Sequence, residues 1–90
     1  MLNMHVNAMM TLRTEFPELS PKMFLASAAY SLGLDIPQIS ELTGSSNEAT
    51  RKALQRSKAA LGLGSLASLR GVFLMRAMFT VLNRCGGVSQ

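Results

Sequence analysis

The chain has 90 residues and a mass of 9.7 kDa, with 48% hydrophobic and 16% charged residues. This length allows one small domain and excludes a two-domain enzyme, and the composition is that of a folded chain rather than a disordered one. The formal charge of +4 is unevenly divided, because residues 1–50 carry two basic and five acidic side chains whereas residues 51–90 carry seven basic and no acidic ones. This division favours an anionic partner for the basic half.

The first two predicted elements are helices. Apolar side chains repeat at helical spacing over residues 1–16 and no strand-like alternation of useful length occurs anywhere, so we expect an amphipathic N-terminal helix that ends before Pro17. Ser20 is a good N-cap with Pro21 in the first helical position, and Gly33 supplies a C-terminal stop. The segment between them predicts a second, mostly buried helix.

A short third helix is predicted over residues 36–43. Asp35 and Gln38 have the spacing of a capping box, and Gly44 ends the helix. Together with the elements on either side, it predicts an all-α protein, a small helix-turn-helix bundle of four to five helices.

A fourth helix is predicted over residues 47–61, with Ser46 as its N-cap and Gly62 as its stop. At 100° per residue it separates into two faces. The expected inner face consists of Ala49, Thr50, Ala53, Leu54, Ser57, Ala60 and Leu61. The expected outer face consists of Asn47, Glu48, Arg51, Lys52, Gln55, Arg56 and Lys58. A short helix, a glycine-containing turn and a second helix with a basic outer face form the layout of a helix-turn-helix DNA reader, although a solvated helix surface shows the same charges.

The last predicted helix is long and apolar. Ser65 caps it, we expect it to reach residue 83 or 84, and residues 85–90 follow as a loose tail. Apolar residues surround its whole circumference, and a helix of that kind must be buried on all sides. We therefore expect one side to cover the core, the N-terminal helix of residues 1–16 to cover another portion as core or dimer support, and the remainder to form a homodimer seam; the alternative is a fully intramolecular five-helix core. The residues predicted for the seam are Leu69, Phe73, Leu74, Met78, Leu82 and Met9.

Candidate catalytic and metal-binding residues are scarce. His5 is the only histidine and Cys85 the only cysteine, so no intramolecular disulfide can form and no zinc ligands cluster in the sequence. Asp35 and the histidine show no triad spacing, and the Gly-Leu-Gly of residues 62–64 lacks the other positions of a phosphate loop. We expect no enzymatic activity, no metal and no cofactor.

Location is predicted from the same features. The lone cysteine indicates a reducing, cytoplasmic environment, and the N-terminal stretch lacks the basic cluster of a signal peptide. The apolar segment over residues 66–82 is interrupted by Arg70 and Arg76, so its uninterrupted run is too short to span a bilayer. We therefore expect a soluble protein without a membrane partner.

Several residues share their identity and spacing with a known family. These are Leu19-Ser20-Pro21, Gly33-Leu34, Ile39, Glu41, Gly44, Ser46, Arg51 and Leu61-Gly62-Leu63. In this arrangement the chain resembles the LuxR/GerE-type helix-turn-helix domains, the output domains of LuxR-, FixJ- and NarL-like regulators. The match runs without a gap from Leu19 to about Leu63, which is roughly half the chain, and no single position decides it.

The resemblance implies a domain over residues 19–84 whose helix 47–61 enters the DNA major groove. Its DNA contacts fall into two classes. Base-reading positions correspond to Arg51, Lys52 and Gln55, which the helical projection independently places on the outer face. Backbone contacts correspond to Ser46, Asn47 and Arg56, and we add Lys58 as a cation available to phosphates. The resemblance also implies dimerisation through the last helix. Thr50 and Ser57 depart from the family's branched apolar residues, and Ala53 from a frequent histidine, which predicts weaker packing under this helix.

Two functions follow as hypotheses. The first is a cytoplasmic, sequence-specific DNA-binding transcription regulator that acts as a homodimer on double-stranded DNA, and the acid-free basic half favours it. The second is a protein-interaction module, an antagonist or co-regulator that pairs with a larger regulator through the apolar last helix; Thr50 and Ser57 favour it slightly.

Overall fold

The structure is a computed structural model that describes the backbone of residues 11–85 and the side chains of residues 11–83. Regular structure in this range is helical, with no strands, which confirms the all-α prediction. Most of the predicted N-terminal helix, including His5 and Met9, and the tail from residue 86 onward lie outside the described residues. Within them, residues 11–13 are helical, so helical backbone ends three residues earlier than expected.

Four helices follow the initial segment. They are α1 (Pro21–Ser31), α2 (Ile36–Thr43), α3 (Asn47–Ala60) and α4 (Leu66–Cys85). The helix boundaries agree with the sequence prediction to within one or two residues, because each helix begins at a local capping side chain. The four caps are Ser20, Asp35, Ser46 and Ser65. At α2 the capping box is complete: the Asp35 carboxylate accepts from the Gln38 amide N–H, and the Gln38 side chain accepts from the Asp35 N–H, both at 2.9 Å.

Helix α1 is the centre of the bundle and packs against α2, α3 and α4. On the side of α4, three aromatic rings form a cluster in which Phe16 stacks on Phe73 with 4.6 Å between ring centroids and Phe24 lies 5.5 Å from Phe73. Ile39, Leu54 and Leu69, all fully buried, form the second cluster with Ala26 and Ala29. Helix α4 therefore closes both clusters.

The placement of Leu69 and Phe73 corrects the sequence prediction. Both were assigned to the dimer seam, but Leu69 is 0% and Phe73 is 4% exposed in the core of their own chain. An apolar residue already covered by its own chain has no surface left to offer a partner, so the assignment of these two residues to a seam is wrong.

The buried hydroxyls of α3 are hydrogen-bonded. Thr50 Oγ1 lies 2.7 Å from Ser40 Oγ on α2, and Ser57 Oγ donates to the Ala53 carbonyl at 2.8 Å. A buried polar group that keeps a hydrogen bond avoids most of its desolvation cost. These bonds offset part of the expected weakening under α3, and the bond between Thr50 and Ser40 also joins α3 to α2.

Two arginines fasten α4 to the rest of the bundle. Arg70 Nε and Nη2 both donate to the Tyr30 carbonyl at 3.2 Å, and the guanidinium lies 4.3 Å from the centroid of the Tyr30 ring. Arg76 lies 4.8 Å from the centroid of Phe16 and pairs with Glu18. The hydrogen bonds to Arg76 lower the pKa of Glu18, and those to Glu18 raise the pKa of Arg76. These two cations of the basic half are therefore structural, and the surplus positive charge of the described residues is concentrated on α3.

Candidate nucleic-acid interface

Helices α2 and α3 form a helix-turn-helix through a three-residue turn, residues 44–46. Gly44 has φ of 71°, a left-handed conformation that side chains disfavour, and so ends α2. The Ser45 N–H then donates to the Ser40 carbonyl at 3.0 Å, and the Ser40 hydroxyl donates to the Ser46 carbonyl at 3.3 Å. These bonds fix where α3 starts relative to α2.

The inner face of α3 is narrower than the sequence predicts. Thr50, Leu54 and Ser57 are buried against α1 and α2, and Ala53 is half-buried. Ala49 and Ala60 were assigned to the same face, but both are exposed. The correction has a geometric reason: they lie at the edges of the inner face, where small side chains do not reach the neighbouring helices.

The outer face of α3 brings the three predicted base-reading residues together. Arg51, Lys52 and Gln55 are all exposed, and Arg56 continues the same surface by one turn. Lys52 Nζ lies 3.6 Å from Glu48 Oε2 in an exposed pair one turn apart. Arg51, Gln55 and Arg56 make no side-chain hydrogen bond or ion pair with the described part of the chain, so their donors are free to meet a ligand.

The predicted phosphate contacts are placed less uniformly. Asn47 is exposed in the first turn of α3, and the exposed Ser46 hydroxyl already accepts from the Ala49 N–H as the N-cap. Lys58 is half-buried and lies toward the side of the outer face. Of the four side chains predicted to contact phosphates, Arg56 and Asn47 are therefore the best placed to reach the backbone of a DNA strand.

No protein-family model, curated protein or solved structure matches the chain. The resemblance to the LuxR/GerE family therefore stays a prediction.

Lys22 is a further basic residue near this surface, and the sequence pattern does not predict it as part of the site. It is exposed in the first turn of α1 and, with Ser45 and Ala49, lines a cleft of about 270 Å³ between α1 and the start of α3. Its position depends on how α1 and α3 pack, so periodicity along either helix alone gives no signal for it.

The second exposed feature is a continuous apolar surface on α4, which we name the α4 apolar face. It consists of Leu74, Met75, Met78, Phe79, Val81 and Leu82, which are between 45% and 61% exposed. At helical spacing this face lies opposite Leu69 and Phe73, so α4 is apolar on the covered side and on the uncovered side alike. Leu74, Met78 and Leu82 are thus accessible, as the predicted seam requires.

By length and composition alone, α4 also fits a membrane-spanning helix. Among the described residues, Leu66–Asn83 is the one segment long and apolar enough to cross a membrane, with a mean hydropathy of 1.2, and 11% of it is buried inside the chain. Arg70 and Arg76 lie within it and bind Tyr30 and Glu18. Insertion into a bilayer would break these contacts, which favours the predicted absence of a membrane partner. That absence remains a prediction.

Metal ligands do not come together in the described range. No group of three or more His, Cys, Asp or Glu side chains is close enough there to hold an ion.

Proposed function

We propose that this protein is a sequence-specific DNA-binding transcription regulator that inserts α3 into the major groove as a dimer. The observation that carries the proposal is the outer face of α3, where Arg51, Lys52, Gln55 and Arg56 are exposed on the second helix of a helix-turn-helix. The opposite face of the same helix is buried, so the orientation of these side chains is set by the core. The similarity of residues 19–63 to the LuxR/GerE family supports the same function.

Each polar residue of the outer face has a role that follows from its hydrogen-bonding groups. Arg51 has the planar donor fork that matches the two acceptors of guanine, and the Gln55 amide matches adenine. Lys52 donates to base acceptors next to Arg51. Arg56 and Asn47 neutralise or bind phosphates, which fixes the register of the helix but carries no sequence information.

Dimerisation gives the α4 apolar face its role. A single α3 contacts only a few base pairs, whereas two copies related by a two-fold axis read two half-sites about 34 Å apart on one side of the duplex. Pairing the apolar faces of two α4 helices would also cover side chains that a soluble monomer rarely leaves exposed together. We therefore infer that Leu74, Met78 and Leu82 form the seam.

The proposal is tested by selecting bound sites from random double-stranded DNA at moderate salt. We expect enrichment of a pseudo-palindromic site and an affinity that falls steeply with salt, since cations on α3 displace counterions from phosphates. Failure to enrich any sequence would reject the function.

A second candidate function rests on the α4 apolar face alone. Six exposed large apolar side chains on one helix also suit a groove on a larger regulator, in which case the chain acts as an antagonist or co-regulator. The two functions differ in stoichiometry. The regulator we propose forms a dimer by itself, whereas an interaction module of this kind remains monomeric until its partner is added.

A further inference from the structure

The outward side of α3 also carries an acid, Glu48. Counted at 100° per residue, Glu48 lies about 180° from the fully buried Ser57. Arg51, Lys52 and Gln55 flank it on either side. A carboxylate here repels DNA phosphates, so electrostatic attraction to the DNA backbone does not account for its presence on this face.

Glu48 is also close to the end of α3 that meets base edges. It is the second residue of the helix, and in helix-turn-helix proteins the N-terminal residues of the recognition helix contact the bases. Its side chain is 77% exposed, and its one described partner is the ammonium of Lys52 at 3.6 Å. An exposed ion pair one turn apart on a helix contributes little to stability, because water screens both charges. The carboxylate and the ammonium can therefore give up their contact with each other and each bind a base instead.

The chemistry of a carboxylate selects among the bases. An ionised carboxylate only accepts hydrogen bonds, so it is repelled by guanine, which presents two acceptors in the major groove, and by the O4 acceptor of thymine. Cytosine presents a single amino donor there, and adenine presents an amino donor beside an acceptor. Cytosine is the base that leaves no acceptor facing the carboxylate.

We propose that Glu48 is a specificity-determining residue that accepts a hydrogen bond from the N4 amino group of a cytosine in each half-site. The inference rests on the proposed DNA-binding function and adds to the three base-reading residues. It also gives the Glu48–Lys52 pair a role in discriminating between sequences. Lys52 donates a hydrogen bond to an acceptor on the adjoining base, whereas Glu48 repels a base that presents an acceptor. The two residues together therefore require one base that presents a donor next to one that presents an acceptor.

The test compares site selection by the wild-type protein, Glu48→Gln and a matched control, Glu41→Gln. Glu41 is an exposed acid on α2, so the control removes the same charge from outside the outer face of α3. In the Glu48→Gln variant, we expect the preference for cytosine at one position per half-site to fall at least about fivefold. Preferences at the positions read by Arg51 and Gln55 should persist, and Glu41→Gln should match the wild type.

The outcomes separate this inference from the proposed function. If the wild type enriches a site and Glu48→Gln retains its cytosine preference, the Glu48 assignment is overturned while DNA recognition stands. If the wild type enriches nothing, both are overturned. A role for Glu48 confined to stabilising the start of α3 would lower the melting temperature and weaken binding to all sequences equally, and this result would also overturn the assignment.

Discussion

Arg76 on α4 donates two parallel hydrogen bonds to the carboxylate of Glu18, with N–O distances of 3.0 and 3.1 Å, across 58 residues of sequence. The same guanidinium donates to the Glu15 carbonyl at 2.7 Å and lies over the Phe16 ring. One side chain thus ties the segment before α1 to the middle of α4. This attachment covers the aromatic cluster and directs the opposite side of α4, the α4 apolar face, toward solvent.

Stability should fall in acid as Glu18 is protonated. Because Arg76 lowers the pKa of Glu18 in the folded protein, the unfolded chain takes up this proton at a higher pH than the folded chain does. The contribution is therefore present above the ordinary pKa of about 4.5 and is lost as pH falls through the lower folded value. Since the pair is partly exposed, we expect Glu18→Gln to cost about 0.5–1 kcal/mol at neutral pH and almost nothing in strong acid. Urea unfolding at both pH values measures this. Glu41→Gln is the control, and an equal loss at both pH values would contradict the assignment.

The α4 apolar face should determine the association state. Leu74→Asp or Met78→Asp places a charge in the inferred seam without touching the core, and we expect either variant to sediment as a monomer at concentrations where the wild type is a dimer. Leu42→Asp is the matched control, because Leu42 is also exposed and apolar but lies on α2. A wild type that is monomeric until a larger protein is added would instead favour the interaction module.

Phe73 is unsuitable for that experiment. It stacks on Phe16 in the core, and truncating a buried phenylalanine typically costs about 3–5 kcal/mol. We expect Phe73→Ala to unfold much of the protein at room temperature, which circular dichroism would detect as lost helix signal. A folded, monomeric Phe73→Ala protein would restore Phe73 to the seam and contradict its placement in the core.

Local and non-local features differ in how well the sequence predicts them. The capping box of Asp35 and Gln38 spans four residues, so the start of α2 can be predicted from sequence alone. The outward side of α3 can also be predicted, because its apolar and polar residues separate by helical period. Helix α4 offers no such contrast, since both sides are apolar, and only the contacts of Leu69 with α1 and α3 decide which side is covered. The Glu18–Arg76 pair is likewise beyond any local pattern.

Arg51 and Arg56 provide a matched pair for separating base reading from phosphate binding. Both are exposed arginines on α3, five residues apart, so Arg51→Ala and Arg56→Ala remove the same side chain from the same helix. We expect Arg51→Ala to cost about 1–3 kcal/mol on the selected site and to relax specificity at one base position. Arg56→Ala should weaken all sequences alike and lower the salt slope by about one. Binding titrations on specific and mixed-sequence DNA at several salt concentrations distinguish these results, and identical effects from both substitutions would refute the division of roles.

The Ser40–Thr50 hydrogen bond holds α2 against α3 and should respond to a double-mutant cycle. Removing one hydroxyl, as in Thr50→Val, leaves the buried Ser40 hydroxyl with its longer bond to the Ser46 carbonyl alone, and we expect a loss of about 1–2 kcal/mol. Adding Ser40→Ala removes the second hydroxyl together with the cost of burying it, so the double variant should be more stable than the sum of the single changes predicts. Chemical denaturation of the four proteins gives the coupling energy. A coupling near zero would mean that the two hydroxyls contribute independently and that the turn, rather than this bond, sets the angle at which α3 is presented.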